Sequence, residues 1–195
     1  MPEVDDERAE VINYGLQLVF GEIPKTLILF LFAYMLGVLR YTILALLLIV
    51  PYRTFSGGVH LKTHIGCIIA TNLFYVGNAF LSKSISIEPF YIKYILIAII
   101  WIFSVFMIKL YAPADTENVP ILRKKDRTLK RNLSYITMTL TLFVSIFITN
   151  STISNLLIFG TLLQTISISK FMYIITNSKY GYLEHIKTKQ STNLA

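Results

Sequence analysis

The chain has 195 residues, of which 54% are hydrophobic and only 15% are charged, and its mean hydropathy is +0.61. Soluble domains carry about 25% charged residues, so this composition excludes an ordinary soluble protein and predicts an all-α integral membrane protein formed by one domain over 1–195. The net charge of +7 is concentrated between apolar runs. That distribution indicates an orientation signal and contacts with membrane lipids, and it argues against a nucleic-acid partner.

The N-terminal residues combine charge with a stripe of apolar residues at helical spacing. The stripe consists of Val11, Ile12, Gly15, Leu16, Val19 and Phe20. Because this spacing has the period of an α-helix, it predicts an amphipathic helix within 1–24 that lies at the membrane interface and ends at Pro24. A soluble helix packed on the rest of the protein is an equally good interpretation.

Residues 26–50 form a long apolar segment that is interrupted by one charge, Arg40. One interpretation is a single tilted membrane span, in which Arg40 would lie inside the bilayer at a considerable free-energy cost. The other is a membrane-inserted hairpin, or two short helices, with a break at Arg40. Neither half then reaches the ~20 residues of a full span. In both cases Pro51 is expected to end the segment.

Four later apolar ranges are predicted to be full transmembrane helices. They are 65–81, 91–110, 133–149 and 153–175. The loop 111–131 separates the second from the third, and its last nine residues contain six basic residues and one acidic residue. The positive-inside rule therefore places this loop in the cytoplasm. Counting spans in both directions places the segment 51–67 and the tail 177–195 on the same side, so the sequence predicts a multi-pass protein of the cell membrane.

The segment 51–67, PYRTFSGGVHLKTHIGC, is the only long polar interruption in the first half of the chain. It contains the only cysteine, Cys67, and a histidine seven residues earlier, His60. If 60–67 is helical, this spacing of about two turns puts both side chains on one face. The imidazole can then take the thiol proton and leave a reactive thiolate. The segment is therefore a candidate for a Cys–His catalytic pair.

Other interpretations of these residues stay open. A lone cysteine is often a small buried hydrophobic residue, and a histidine at a membrane boundary is often only interfacial. His60, His64 and Cys67 also follow an i, i+4, i+7 spacing, which could bind zinc with water as the fourth ligand. The segment lacks the glutamate of an HExxH motif, however, and no second cluster completes a structural site. No metal or other cofactor is therefore predicted.

Three stretches of the chain carry a family resemblance. They are Arg53, Gly58, His60 and Cys67 in the spacing RxxxxGxHxxxxxxC, the loop YAPADTENVPI at 111–121 ahead of a basic run, and Tyr14–Gly15 in the amphipathic N-terminus. Over nearly its whole length the chain resembles AgrB, the membrane-embedded cysteine protease of quorum sensing in Gram-positive bacteria.

The resemblance implies a cysteine endopeptidase that works as a homodimer without a cofactor. Its substrate would be an AgrD-like propeptide, which the family cleaves on its C-terminal side through an acyl-enzyme thioester. A thiol or hydroxyl of the peptide then displaces the enzyme and gives a cyclic thiolactone or lactone, the autoinducing peptide. Cys67 matches the nucleophile and His60 the catalytic histidine, whereas His64 has no counterpart in the pattern.

Several supporting roles stay as alternatives. Gly57 and Gly58 either present N–H groups to an oxyanion or simply form a turn. Arg53 either holds a propeptide carboxylate, holds the backbone of the motif, or anchors the chain at the interface. Asp115 is the one distant candidate for a third catalytic residue, and the basic run 123–131 either binds an acidic propeptide tail or contacts anionic lipid.

Two rival functions come from other classes of protein. A small transporter or channel would require polar residues spread through the spans, whereas the groups capable of chemistry concentrate at one edge. A non-enzymatic membrane scaffold predicts that replacing Cys67 by serine leaves function intact.

Overall fold

The computed structural model describes residues 6–61, 63–117 and 120–192, with side chains described between 21 and 186 except for Phe90. The described residues form eight α-helices joined by short loops, with one isolated β-bridge. The helices are α1 (Asp6–Met35), α2 (Leu39–Ser56), α3 (His64–Ser84), α4 (Phe90–Tyr111), α5 (Lys124–Phe147), α6 (Ser151–Ser167), α7 (Lys170–Ile175) and α8 (Gly181–Thr192). The prediction of an all-helical protein is confirmed.

Two of the described helices, α3 and α4, are long and apolar enough to cross a membrane. Their outward faces carry large exposed apolar side chains, such as Leu73 on α3 and Ile102 on α4. An apolar helix face of this kind suits the hydrocarbon of a bilayer. The other two predicted spans, 133–149 and 153–175, do not form helices that are both long and apolar enough. The first lies in α5, which begins with charged residues, and the second begins in α6, which has 17 residues. A count of four full spans therefore stays a prediction.

The N-terminal half departs from the prediction at both prolines. Helix α1 continues through Pro24 to Met35, and α2 continues through Pro51 to Ser56. A proline inside a helix removes one backbone hydrogen bond, a loss that a helix packed by neighbours tolerates. The apolar stripe predicted between residues 11 and 20 lies outside the described side chains.

The break between α1 and α2 lies at Gly37, just ahead of Arg40, so the interpretation of 26–50 as one span is wrong. Gly37 has φ +65°, and the Val38 N–H donates to the Ala33 carbonyl at 2.9 Å. This is the hydrogen bond of a Schellman-type helix end, where glycine supplies the left-handed residue. The chain therefore reverses between two separate helices, as the alternative interpretation predicted.

The C-terminal half is divided more finely than the sequence suggested. Helix α5 begins at Lys124, inside the predicted loop 111–131, and the predicted span 153–175 consists of α6 and α7. The second helix starts anew because the Ser169 hydroxyl accepts a hydrogen bond from the Met172 N–H. The predicted tail 177–195 contains a further helix, α8.

Helix α6 lies at the centre of the bundle and packs against α2, α3, α4 and α5. Its interior positions include polar residues that bond to neighbouring helices. The Thr165 hydroxyl bonds to Tyr52 of α2 at 3.0 Å and to Ser104 of α4 at 2.7 Å, and Asn78 of α3 donates to the Leu156 carbonyl at 3.1 Å. In an apolar bundle such bonds fix how the helices sit against one another. They also position the site described next.

Candidate active site

The segment 51–67 joins the end of α2 to the first turn of α3. Helix α3 begins at His64, and Thr63 caps it by accepting a hydrogen bond from the Gly66 N–H at 3.1 Å. Cys67 lies in this first turn and is half-buried with a free thiol. A helix N-terminus favours negative charge, which suits a thiolate. His60 precedes the helix, so the expectation that His60 and Cys67 share one helical face is wrong.

The double glycine forms a tight contact with the loop after α4. Gly57 and Gly58 have φ values of +73° and +145°, a region that favours glycine. The Gly58 N–H donates to the Ala114 carbonyl at 2.9 Å, and the Ala114 N–H donates to the Ser56 carbonyl at 2.8 Å. Two of the three sequence stretches that carry the family resemblance are therefore hydrogen-bonded to each other.

The same contacts decide between the two roles considered for the glycines. The Gly57 N–H donates to the Arg53 carbonyl at 2.9 Å, and the Gly58 N–H is bound to Ala114 as described. Neither group is free to stabilise an oxyanion in this arrangement. The geometry favours the turn, in which both glycines support the site by shaping the backbone ahead of His60.

Arg53 and the buried Gln164 bond to each other and together hold this turn. Arg53 Nη1 donates to Gln164 Oε1 at 3.0 Å, and its Nη2 donates to the Val59 carbonyl at 3.4 Å. Gln164 Nε2 donates to the Gly57 carbonyl at 2.8 Å and to the Ser56 hydroxyl at 2.9 Å. Of the roles considered for Arg53, the structure therefore supports that of holding the backbone of the motif.

His60 lies on the exposed side of the turn, where its carbonyl accepts a hydrogen bond from the Ser178 hydroxyl at 3.1 Å. The pKa of His60 is lowered, first by desolvation among its neighbours and then by the positive charges of Arg53 and Lys25, against a smaller opposing effect of Glu22. A lowered pKa keeps the imidazole neutral at pH 7, which is the form that accepts a proton. His60 can therefore act as a general base.

Helix α1 brings two charged residues to the same place. Lys25 Nζ pairs with Glu22 Oε1 at 2.5 Å. Burial tends to lower the pKa of Lys25, but the hydrogen bond with Glu22 and the neighbouring Cys67 raise it overall. His60 and Cys67 do not hydrogen-bond to each other among the described contacts, but both have Lys25 as a charged neighbour. Catalytic hydrogen bonds often form only when substrate is bound.

A mostly apolar cavity of about 240 Å³ opens beside Cys67. Its walls come from the turn, from α3 and from the α6–α7 region. The lining residues are Arg53, Val59, Leu61, Cys67, Ala70, Thr71, Leu73, Phe74, Tyr75, Leu163, Ile166, Ser167 and Met172. Such a cavity next to a nucleophile can hold an apolar side chain of a substrate while the adjoining carbonyl meets the sulfur.

Asp115 is held in place by its own set of hydrogen bonds. It is 5% exposed, and its Oδ2 accepts hydrogen bonds from Arg127, from the Ile121 N–H and from the Tyr182 N–H at 2.9, 2.9 and 3.2 Å. Partners from the following loop, from α5 and from α8 hold the carboxylate, so a role as third catalytic residue is not supported. Part of the basic run is also used internally, because Arg131 Nε donates to the Ala112 carbonyl at 2.8 Å. Arg123, Lys124 and Lys125 remain exposed.

The zinc alternative finds no support in the described part of the chain. No group of three or more His, Cys, Asp or Glu side chains there is placed to hold a metal ion. His64 instead points toward α1, where a side-chain carbon placed at Gly21 would stand 3.6 Å from its Cε1.

Sequence reasoning missed Gln164, Lys25 and Glu22. A glutamine within an apolar run is itself a signal, because a buried amide needs hydrogen-bond partners. Lys25 and Glu22 carried a weaker signal as an i, i+3 pair at the point where the long apolar run begins.

Comparison with known proteins agrees with the sequence resemblance. The family model "Accessory gene regulator B" (AgrB) matches residues 2–168. An AgrB-like protein of Clostridium acetobutylicum is 28% identical over 182 residues, which cover 92% of this chain and 85% of the relative. An AgrB-like protein of Listeria monocytogenes serovar 1/2a is 28% identical over 184 residues, covering 92% and 86%.

A more distant relative carries the family name itself. The accessory gene regulator protein B of Staphylococcus aureus is 24% identical over 164 residues, covering 84% of this chain and 82% of the relative. No solved structure matches the chain. The family match covers most of the chain and includes the segment 51–67 and the loop 111–121 that contact each other in the structure. The chain is an all-helical membrane protein that belongs to the accessory gene regulator B family.

Proposed function

We propose that this protein is a membrane cysteine endopeptidase that cleaves an AgrD-like propeptide and supports its cyclisation to an autoinducing peptide for quorum sensing. The observation that carries the proposal is the position of Cys67. The only thiol of the chain lies in the first turn of α3, beside an apolar cavity, and a histidine whose pKa is lowered precedes it by seven residues. These are the parts that thiol-based acyl transfer needs.

The first acyl transfer breaks the peptide bond. Neutral His60 takes the thiol proton, and the Cys67 sulfur attacks the carbonyl carbon of the scissile bond. The C–N bond then breaks, and the imidazolium returns the proton to the departing amine. The C-terminal part of the propeptide leaves as a free peptide, and the N-terminal part remains bound to Cys67 as a thioester.

The second acyl transfer closes the ring. His60, now neutral, takes a proton from a side-chain thiol or hydroxyl of the bound peptide, whose sulfur or oxygen attacks the thioester carbonyl. The C–S bond to Cys67 breaks, and the thiolate recovers the proton from the imidazolium. A thioester keeps the acyl group activated, so exchange with a second thiol has little net free-energy change. The apolar cavity favours ring closure because it limits access of water to the thioester.

The surroundings of the site suggest how the propeptide binds. An apolar side chain next to the acylated carbonyl suits the cavity beside Cys67. The exposed residues Arg123, Lys124 and Lys125 suit an acidic propeptide tail or anionic lipid. The turn, the basic loop and the segment before α8 contact one another at one end of the bundle, through Ala114 and Ser178. We place this end at the cytoplasmic face and the protein in the cell membrane as a homodimer.

The test is cleavage of the cognate propeptide by the protein in liposomes, read by mass spectrometry. We expect Cys67→Ala and His60→Ala to abolish cleavage while both variants remain folded. His185→Ala is the matched control, because His185 is an exposed histidine on α8 outside the site, and it should cleave normally. A covalent peptide adduct on Cys67 should be trapped in the wild type.

The rival functions predict a different result. If Cys67→Ala still cleaves the propeptide, or if Cys67→Ser supports signalling as well as the wild type, the endopeptidase proposal is wrong. The chain would then be better explained as a transporter or a membrane scaffold.

A further inference from the structure

Three consecutive peptide groups around His60 are each hydrogen-bonded to another part of the bundle. The Val59 N–H donates to the Ser167 carbonyl at 3.2 Å, and the Val59 carbonyl accepts a hydrogen bond from Arg53 at 3.4 Å. The His60 carbonyl accepts one from the Ser178 hydroxyl at 3.1 Å. Because the two planar peptide groups that flank a residue fix the direction of its Cα–Cβ bond, these bonds determine where the imidazole of His60 starts from.

The hydroxyl of Ser178 is not required by the helix that it follows. Asn177 has φ +49°, and the Ser178 N–H donates to the Tyr173 carbonyl at 2.9 Å. This is a Schellman-type end of α7, which uses only the backbone of Ser178. A hydroxyl has a single proton to donate, and the His60 carbonyl at 3.1 Å is nearer to it than the Thr176 carbonyl at 3.5 Å. The side chain of Ser178 therefore serves the turn that carries His60.

The end of α7 is itself anchored in the bundle. Tyr173 is 2% exposed, and its hydroxyl donates to the Asp115 carbonyl at 2.9 Å. Its ring stacks on Tyr180 with 3.9 Å between the ring centres, and the Tyr180 hydroxyl donates to the Ile168 carbonyl at 3.0 Å. The chain on both sides of Ser178 is therefore tied to the loop after α4 and to the end of α6. A hydrogen bond from this place restrains the turn instead of moving with it.

We propose that Ser178 is a positioning residue for His60, whose backbone its hydroxyl holds in the orientation that proton transfer requires. This inference rests on the endopeptidase function proposed above. In both acyl transfers the imidazole takes one proton and returns it, while the Ser178 hydroxyl keeps its own proton on the His60 carbonyl. A general base whose direction is fixed before the substrate binds loses less rate to misalignment.

The kinetic test compares kcat and KM of propeptide cleavage in liposomes for the wild type, Ser178→Ala and Ser178→Thr. Ser178→Ala removes the hydroxyl at a half-buried position and keeps the backbone bond that closes α7, whereas Ser178→Thr keeps the hydroxyl. Ser151→Ala is the matched control, because Ser151 is an exposed serine at the end of α6 that is remote from the turn. Urea unfolding in detergent measures the folded fraction of each variant.

The expected loss lies in kcat. Ser178→Ala should lower kcat about tenfold, because a misplaced catalytic group costs rate, and should leave KM within about twofold of the wild type. Ser178→Thr should keep roughly half of the wild-type kcat or more, since its hydroxyl can make the same bond. Ser151→Ala should change neither constant. A bond that only stabilised the fold would lower the folded fraction and leave the kcat of that fraction unchanged.

A second measurement needs no substrate. The chain has three histidines, so isotope-labelled histidine gives few NMR signals in detergent, and His60→Ala identifies the signal of His60. In Ser178→Ala this signal should shift or broaden, because the imidazole samples more orientations. The signals of His64 and His185 should stay in place.

The role of Ser178 is overturned by an unchanged kcat in Ser178→Ala, by an equal loss of kcat in Ser178→Thr, or by an effect confined to KM. An unmoved His60 signal in Ser178→Ala would overturn it as well. Failure of the endopeptidase function gives a different result, because Cys67→Ala would then still cleave the propeptide.

Discussion

The contact between Gly57 and Ala114 makes Gly57→Ala the most severe small substitution in the motif. Gly57 has φ +73° and ψ −149°, a conformation that only glycine adopts readily and that costs a larger residue about 1–3 kcal/mol. A methyl group at Gly57 would stand 2.2 Å from the Ala114 carbonyl oxygen and 2.9 Å from its carbon. Both are backbone atoms, so the loop after α4 would have to move away.

That movement breaks the two hydrogen bonds between the segments, Gly58 to Ala114 and Ala114 to Ser56. At about 1 kcal/mol each, and with the backbone cost, the free energy of unfolding should fall by roughly 3–5 kcal/mol. Urea unfolding in detergent, followed by circular dichroism, measures this change. Propeptide cleavage should fall even in the folded fraction, because the turn that carries His60 loses its support.

Gly37→Ala is the matched control. Gly37 has φ +65°, but nothing lies within 4 Å of a side-chain carbon placed there, so only the backbone cost of about 1–2 kcal/mol remains. The variant should be mildly destabilised and should cleave propeptide normally. If Gly57→Ala is no worse than Gly37→Ala in stability and in cleavage, the bridge to Ala114 does not support the site and the reasoning fails.

Three further predictions follow from the same contacts. Gln164→Leu leaves Arg53, Ser56 and the Gly57 carbonyl without their hydrogen-bond partner. It should therefore lower the free energy of unfolding by about 2–4 kcal/mol in the urea assay and reduce propeptide cleavage. A variant that unfolds and cleaves like the wild type would contradict the bonds described. The pKa of His60 lies below its usual 6.5, so cleavage should persist as the pH falls through 6.5 and decline only at lower pH. The free energy of unfolding should fall below pH 6.5 as well, because the unfolded chain takes up the proton more readily than the folded one. A cleavage rate that already halves at or above pH 6.5 would contradict this. Asp115→Asn should destabilise the protein by about 2 kcal/mol, because it removes the charge paired with Arg127. The kcat of the folded fraction should stay unchanged. A large loss of kcat would make Asp115 a catalytic candidate again.

The parts of the structure that were predictable from the sequence are those set by composition and local spacing. The helical fold and the helices α3 and α4 follow from long apolar runs. The pairing of His60 with Cys67 stays a prediction from their short separation, and the helical geometry expected for it is wrong. The chain turns at two glycines before His60 and starts a new helix only at His64, so His60 lies outside that helix and the spacing is not that of one helical face.

The helix ends were less predictable because they depend on single hydrogen bonds. The sequence suggested stops at Pro24 and Pro51, yet both helices continue through them. Helix α1 ends just ahead of Gly37 and α2 ends at Ser56 ahead of Gly57, both glycines with positive φ, and α6 ends before the capping serine Ser169. A proline inside a packed bundle is tolerated, whereas an uncapped helix end is not, so capping residues were the better guide.

The remaining parts of the site come from elements that no short motif includes. Gln164 on α6 bonds to the end of α2, Ala114 bonds to the double glycine, and Lys25 on α1 is one of the charges that lower the pKa of His60. Each is separated from Cys67 in the sequence by at least one apolar helix, and apolar periodicity does not reveal which polar group faces which. A polar side chain inside such a helix nevertheless carries information, because burial obliges it to find a partner. Here the partners of Gln164 are the backbone and the arginine of the motif, so the central helix of the bundle determines the shape of the turn that presents His60.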